Sequence, residues 1–309
     1  MPELPEVETT KTSLTPLLGQ QVVDISIFQP KLRWVMPDDL SRLIGYTLDR
    51  VDRRAKYLIL NFLPTASHVT GDNTFVPLQL LIHLGMSGSL QQHSYGTDKR
   101  KHDHLIITFK DSDNRESQLH YYDPRRFGSV LWFEDYGDKL LDHLGPEPLS
   151  KNFTAQYLYN VIQRTSLDNK GIEKLSTKIQ PTKKPQSIAR AIKSVIMEQK
   201  VVVGVGNIYA TESLYLSGIH PATPANQLSF DQLVVLVDHI KDILKKAIEL
   251  GGSTLRDFTV ASGQTGYFQQ TLNVYGRQGE RCLKCDTILE NVKLNGRASV
   301  YCSNCQPLV

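Results

Sequence analysis

No cysteine occurs before position 282. A long chain with a thiol-free body is not a disulfide framework and must hold itself together by burial. No run approaches the roughly 20 consecutive apolar residues that a membrane span needs. The opening, MPELPEVETT, is acidic and has no apolar core of the kind that directs export. Export and membrane insertion are therefore not expected, and the cytoplasm is the expected compartment. Internal repeats and low-complexity tracts are also missing. An excess of one charge is missing too: 35 basic and 32 acidic side chains leave a net +3.

What remains is ordinary globular composition, 40% hydrophobic and 22% charged. The 309 residues suffice for about two domains at roughly 150 residues each. The charge is uneven. Residues 178–309 carry 15 basic and 10 acidic side chains. That bias permits a polyanion partner without demanding one.

All four cysteines, Cys282, Cys285, Cys302 and Cys305, lie in the last 28 residues, spaced C-x2-C-x16-C-x2-C. Two close pairs at this separation are a zinc pattern: each C-x2-C turn aims two thiolates at one point, and a hairpin brings the second pair across. Four thiolates leave no open position, so one structural Zn2+ is expected and the chemistry must lie elsewhere.

Residues 2–18 read as a helix with Pro5 in its first turn, Glu6 and Glu8 near its positive end, and Gly19 ending it. Strand-like runs follow at 22–28, at 46–62 (two strands joined near Asp52–Ala55), and at Leu78–Leu84, His104–Phe109, Ser117–Tyr121 and Gly128–Phe133. Pro64–Val76 reads as a surface loop and the Lys-rich stretch Arg164–Pro185 as a linker or solvated excursion. Helices are expected from Ser187 to about Gln199, over Gly206–Ser217, and from a Ser229/Gln232 capping box to Gly251-Gly252. The expected division is 1–150 as a β-rich domain, 151–186 as linker, 187–270 as a helical domain and 271–309 as the zinc module.

Removal of Met1 would leave Pro2 as a free secondary amine. An α-amino group titrates near 8, well below lysine, so a useful fraction is nucleophilic at neutral pH. Its attack on an aldehyde carbon gives an iminium, an electron sink for elimination. Glu3 could move protons beside it. Pro and Glu are equally an ordinary lead-in to a helix, so these two residues alone leave the matter open.

The opening MPELPEVE, RRAKYL at 53–58, HLGMSG at 83–88, KHDH at 101–104, DPRRFG at 123–128 and HLGPEPL at 143–149 are joined by VVGVGNIYA at 202–210, GIHP at 218–221 and GYFQQTLNVYGR at 266–277. With the four-cysteine module, this ordered set resembles the formamidopyrimidine-DNA glycosylase/endonuclease VIII family along the whole chain. The resemblance implies an α+β fold: a β-sandwich with an N-terminal helix, then a helical domain with a helix–two-turns–helix motif and a zinc-finger β-hairpin. It implies a bifunctional glycosylase and abasic-site lyase of base-excision repair, acting on damaged double-stranded DNA as a monomer, without redox or nucleotide cofactor.

By that resemblance Pro2 is the Schiff-base nucleophile and Glu3 the proton donor. Lys56 binds phosphate and assists the chemistry, and Arg297 grips phosphate and serves the second elimination. His102, Arg125, Lys193 and Asn207 are implied DNA contacts, with Arg190 near them; a family lysine aligns near Ala189, where this chain departs. Met86, Arg125 and Phe127 resemble the set that fills the void left by an everted base. Val260–Gln269 resembles a lesion-capping loop. Leu4 and the DPRRFG block favour the purine-lesion branch, which acts on 8-oxoguanine opposite cytosine and on formamidopyrimidines. The alternatives are an endonuclease VIII-like enzyme for oxidised pyrimidines, and a damaged-DNA-binding paralogue or zinc-ribbon scaffold that does not cut.

Overall fold

A computed structural model describes residues 2–65, 76–164, 186–252 and 272–308. The expected loop Pro64–Val76 falls almost wholly, Arg164–Pro185 largely, and Val260–Gln269 entirely outside the described residues. The chain divides into two compact units, Met1–Leu144 with Lys245–Thr271, and Gly145–Leu244 with Leu272–Val309. No described helix is long and apolar enough to cross a membrane.

In the first unit, α1 spans Leu4–Ser13. It is shorter than the sequence suggested. Pro16 has no N–H to continue the ladder, and Thr15–Leu17 tighten instead into a 3-10 turn. Eight strands follow: β1 Gln21–Ile27, β2 Tyr46–Arg54, β3 Tyr57–Pro64, β4 Leu78–His83, β5 Ser89–Ser94, β6 Asp103–Lys110, β7 Glu116–Tyr122 and β8 Ser129–Trp132. Their order is β5-β7-β6-β1-β2-β3-β4-β8, antiparallel throughout.

The joint between β1 and β2 is narrow, a single pair at Gln21↔Thr47. The sheet therefore behaves as two four-stranded halves. Leu105, Ile107 and Tyr121 from one half meet Leu60, Leu80 and Ile82 from the other in one buried cluster. This is the sandwich arrangement that alternating half-buried strands produce. The strand expected to reach Phe133 ends at Trp132, and α2 begins there, spanning Phe133–Leu141.

In the second unit, α3 spans Ala155–Gln163, with the Thr154 hydroxyl accepting from Tyr157 N at 3.1 Å. The helix expected from Ser187 to Gln199 is only five residues, α4 Ile192–Ile196. The segment before it is held otherwise: Ile188 N donates to Ile162 O, Ala191 bridges to Pro224, and the Ser187 hydroxyl accepts from Asn226 instead of capping a helix. Helix α5 spans Asn207–Leu216, and α6 spans Phe230–Glu249, its last five residues counted in the first unit. The α6 capping box is as read: Ser229 N donates to the Gln232 side chain at 2.9 Å, and Gln232 N to the Ser229 hydroxyl at 3.2 Å. The chain ends in the hairpin β9 Glu290–Leu294 and β10 Arg297–Tyr301.

Candidate active site

Pro2 and Glu3 are buried at the start of α1. Glu3 is the N-cap. Its backbone N–H donates to the Glu6 carboxylate at 2.8 Å, and its side chain takes the Glu6 N–H in return. The chain thus enters the helix at a fixed angle, with the residue-2 nitrogen at the helix's positive end. Gly252 is packed against this turn; a Cβ there would sit 3.2 Å from Glu6 Oε1.

Lys56 is 6% exposed, in the tight β2–β3 turn that Ala55 makes at φ 54°. Arg53 ties that turn to α1: its Nε donates to Glu8 and its Nη1 to Ala55 O. Burial would raise the Glu8 carboxyl, but the Arg53 and Lys11 bonds hold it below its usual range. Burial, followed by the positive charges of Lys56 and Arg33, pushes His83 down to about 4. His83 Nδ1 accepts from Gly85 N at 3.0 Å, as a neutral ring must.

Met86, Arg125 and Phe127 lie on two loops locked together by the buried Asp123. Its Oδ1 accepts from the Ser87 hydroxyl at 2.8 Å and from Arg125 N at 3.3 Å, and its Oδ2 from Gly128 N at 2.9 Å. The loops touch through backbone. A Cβ on Gly85 would sit 2.4 Å from the Phe127 carbonyl carbon, so only glycine fits. Met86 and Phe127 are 37% and 47% exposed, and the Arg125 guanidinium lies over the Phe127 ring at 5.1 Å. Exposed apolar side chains on a rigid base suit a wedge better than a core. His102 stands nearby in sequence, edge-on to Tyr122 at 5.9 Å. Asp123 and Ser87 escaped the sequence reading. The Asp-Pro before a turn was a signal of local structure, but not of a bond to a residue 36 positions away.

In the second unit, Asn207 opens α5 after Gly206, and its Oδ1 is buried without a hydrogen-bond partner among the described residues. A buried polar amide at a helix N-terminus is a feature that an external ligand would satisfy. Lys193 is not on the surface. It is 1% exposed, and its ammonium donates to the Ser299 hydroxyl at 2.7 Å and to Ala298 O at 3.1 Å, anchoring β10. Arg190 is paired with Glu198. Arg297 is exposed beside the two-residue hairpin tip Asn295-Gly296, whose φ values of 46° and 76° are those of a type I′ turn.

The four cysteine sulfurs lie within 4.8 Å of one another. Distances of 3.4 Å for Cys285–Cys302 and 3.9 Å for Cys282–Cys305 bracket the roughly 3.8 Å edge of a tetrahedron with Zn–S bonds of about 2.3 Å. The backbone N–H of Lys284 and of Cys305 each points at a sulfur, at 3.4 Å. The donor set fits one structural zinc. Glu212, fully buried in α5, fixes the module's approach: it accepts from Asn273 N, Asn273 Nδ2, Val274 N and Tyr275 N at 2.7–2.9 Å.

Residues 1–130 match the formamidopyrimidine-DNA glycosylase N-terminal domain, residues 144–259 the H2TH domain of the same glycosylase, and residues 279–308 a zinc finger found in FPG and IleRS. The chain is 68% identical, over 313 residues, to the formamidopyrimidine-DNA glycosylase of Psychrobacter arcticus, covering 100% of this chain and 99% of that one. It is 52% identical to that of Acinetobacter baylyi, with 100% and 99% covered. A Lactococcus lactis FPG mutant in complex with Fapy-dG containing DNA aligns at a TM-score of 0.79 and 31% identity, covering 99% of this chain and 100% of that one. The same organism's Fpg with an abasic site containing DNA aligns at 0.78 and 30%, with 99% of each covered.

Proposed function

The chain belongs to the formamidopyrimidine-DNA glycosylase family and is accordingly a base-excision repair glycosylase with AP lyase activity; we propose that its substrates are oxidised purines, 8-oxoguanine opposite cytosine and formamidopyrimidines, and that Pro2 is its nucleophile. One observation carries the residue assignment: the buried Pro2–Glu3 start of α1 is tied through Glu8, Arg53 and Ala55 to the turn that holds Lys56. An amine nucleophile, a carboxyl group and a lysine are thereby set on one rigid framework, as geometry-driven catalysis requires.

After loss of Met1, the Pro2 nitrogen attacks sugar C1′ as the glycosidic bond breaks, and the base leaves with a proton that Glu3 helps supply. Ring opening leaves a C1′ iminium. Loss of a C2′ proton then expels the 3′ phosphate, and a second elimination expels the 5′ phosphate. Lys56 and Arg297 bind phosphates on either step. Asn207 adds a further phosphate contact, His102 and Arg125 hold DNA, and Lys193 contributes from within by fixing the hairpin that presents Arg297. Met86 and Phe127 fill the vacated stack, while Arg125 donates to the widowed cytosine. Zinc shapes the hairpin and takes no part in the chemistry. The protein acts as a monomer in the cytoplasm on damaged double-stranded DNA, with a catalytic N-terminal domain, a helical DNA-binding domain that takes in α3 as well as α5, and a zinc finger at 271–309.

Borohydride trapping on an 8-oxoguanine:cytosine duplex tests this, with peptide sequencing of the adduct. The expected result is a covalent bond at Pro2, and Pro2→Gly abolishes it. Full lyase activity in Pro2→Gly would remove the nucleophile assignment. A thymine glycol duplex beside it tests the purine assignment, since a related Lactococcus lactis Fpg has been seen with an oxidised pyrimidine containing DNA.

A further inference from the structure

The double arginine of DPRRFG is split by its backbone. Arg126 takes φ 56°, a left-handed conformation uncommon for a residue with a Cβ. Arg125 lies over Phe127, while Arg126 turns into a cavity of about 440 Å³. The function described above uses Arg125 and, of the cavity's lining, His102 alone; Arg126 and the two lysines there are unassigned.

Lys99, Lys101, His102 and Arg126 line this cavity, and Phe28 forms one wall. The walls are rigid. Phe28 N donates to His104 O at 2.9 Å, Asp123 N to His102 O at 3.0 Å, and His104 Nε2 to Asp123 O at 2.7 Å. The acid in the lining, Asp103, is already committed: Arg100 donates to it from N, Nε and Nη2, and His120 from Nδ1. The remaining charge in the lining is positive. Phe28 is 45% exposed and carries the Lys99 ammonium 5.0 Å from its ring centre. An exposed lysine normally sweeps a wide volume; this one is steadied at the cavity mouth.

We propose that this cavity is a further subsite for the nucleic-acid backbone, taking a phosphodiester with its sugar next to the contacts made by His102 and the Arg125–Phe127 loop, with Lys99, steadied by Phe28, as the added phosphate ligand. The cavity is larger than a phosphate group alone would fill, and Lys99, Lys101 and Arg126, with no acid partner among the described residues, suit a polyanion. Its continuity with the loop that carries Arg125 and Phe127 places it along the path of the same duplex. The subsite rests on the DNA-repair reading above.

The test is equilibrium binding of the full-length, zinc-loaded protein to a duplex with a tetrahydrofuran abasic analogue, measured across a series of salt concentrations. Neutralising one phosphate contact changes the slope of log K against log salt by about 0.9. Lys99→Gln is expected to flatten the slope by that amount. Phe28→Leu weakens binding about two- to fivefold by freeing the ammonium. Lys110→Gln, at the other end of β6, removes the same charge and keeps the wild-type slope. Matched thermal melts show that the variants are folded. A Lys99→Gln slope equal to wild type overturns the subsite while leaving the repair reading intact. A wild-type protein that does not bind the duplex at all overturns both.

Discussion

Asp123 shows how one buried side chain can set the aim of three others. Its carboxylate joins the loops that carry Met86, Arg125 and Phe127, and the Ser87 hydroxyl is its shortest bond, at 2.8 Å. Ser87→Ala leaves a buried acceptor short of a donor, which costs about 1–3 kcal/mol of stability. The expected functional result is a loss of discrimination between cytosine and adenine opposite 8-oxoguanine, with abasic-site cleavage in single-stranded DNA little changed. Single-turnover rates on the two duplexes and the single strand check this; unchanged discrimination would reduce Asp123 to a purely structural part. His83 supplies a pH signature. Its ring titrates near 4 when folded and near 6.5 when unfolded, so the unfolded chain binds the extra proton between these values. Stability is then fully present above about pH 6.5 and declines as pH falls toward 4, by about 2 kcal/mol after allowance for the ring's exposed edge. His83→Gln is expected to flatten that part of the melting-temperature profile.

At the scale of elements, Glu212 and Lys193 do for the zinc module what Asp123 does for the loops. Glu212→Gln replaces an acceptor of four hydrogen bonds with a half-donor amide, so at least one backbone N–H of residues 273–275 is left facing a donor. The expected cost is about 3 kcal/mol, since a buried charge-assisted network is broken rather than shortened. Chemical denaturation with a zinc-release dye would read both stability and module integrity. These links were not legible in the sequence. A glutamate inside an apolar helix gives no sign of its partners 61 to 63 residues away. What could be read was whatever chemistry repeats locally: the cysteine spacing, the Ser229/Gln232 cap, the glycines after α6. The edge strand β5, SLQQHS, was missed because polar residues on both faces erase the alternation. Helix α3 was missed despite the Thr154 cap, and the Ser187 helix was overextended because backbone pairing to Pro224 outweighed helix propensity. Of the candidate site residues, Lys193 shows best how far a sequence position stands from a surface: its charge reads as a DNA contact and lies 1% exposed.

For the molecule as a whole, the sheet and the terminal hairpin draw stability from different sources. The first has a large apolar core under its sheet, with Leu58, Leu60, Phe62 and Leu80 all fully buried. The terminal hairpin has a small cluster around Val274, Leu289 and Val300, and depends on its metal. Chelation, or Cys285→Ser, should therefore abolish duplex binding while far-UV circular dichroism keeps its β-sheet signal. Parallel loss of both would show that the sheet also needs zinc. The placement of the cysteines has one more consequence. An enzyme that answers oxidative damage works where peroxide is present, and every thiol it owns sits in the metal site. The sheet and the loops that join its strands offer an oxidant no sulfhydryl. Thiolates held by a metal are attacked less readily than free ones, but oxidation of a single one ejects the ion. Peroxide would then release the metal and loosen the terminal hairpin, a loss that reverses once the thiols are reduced and zinc returns.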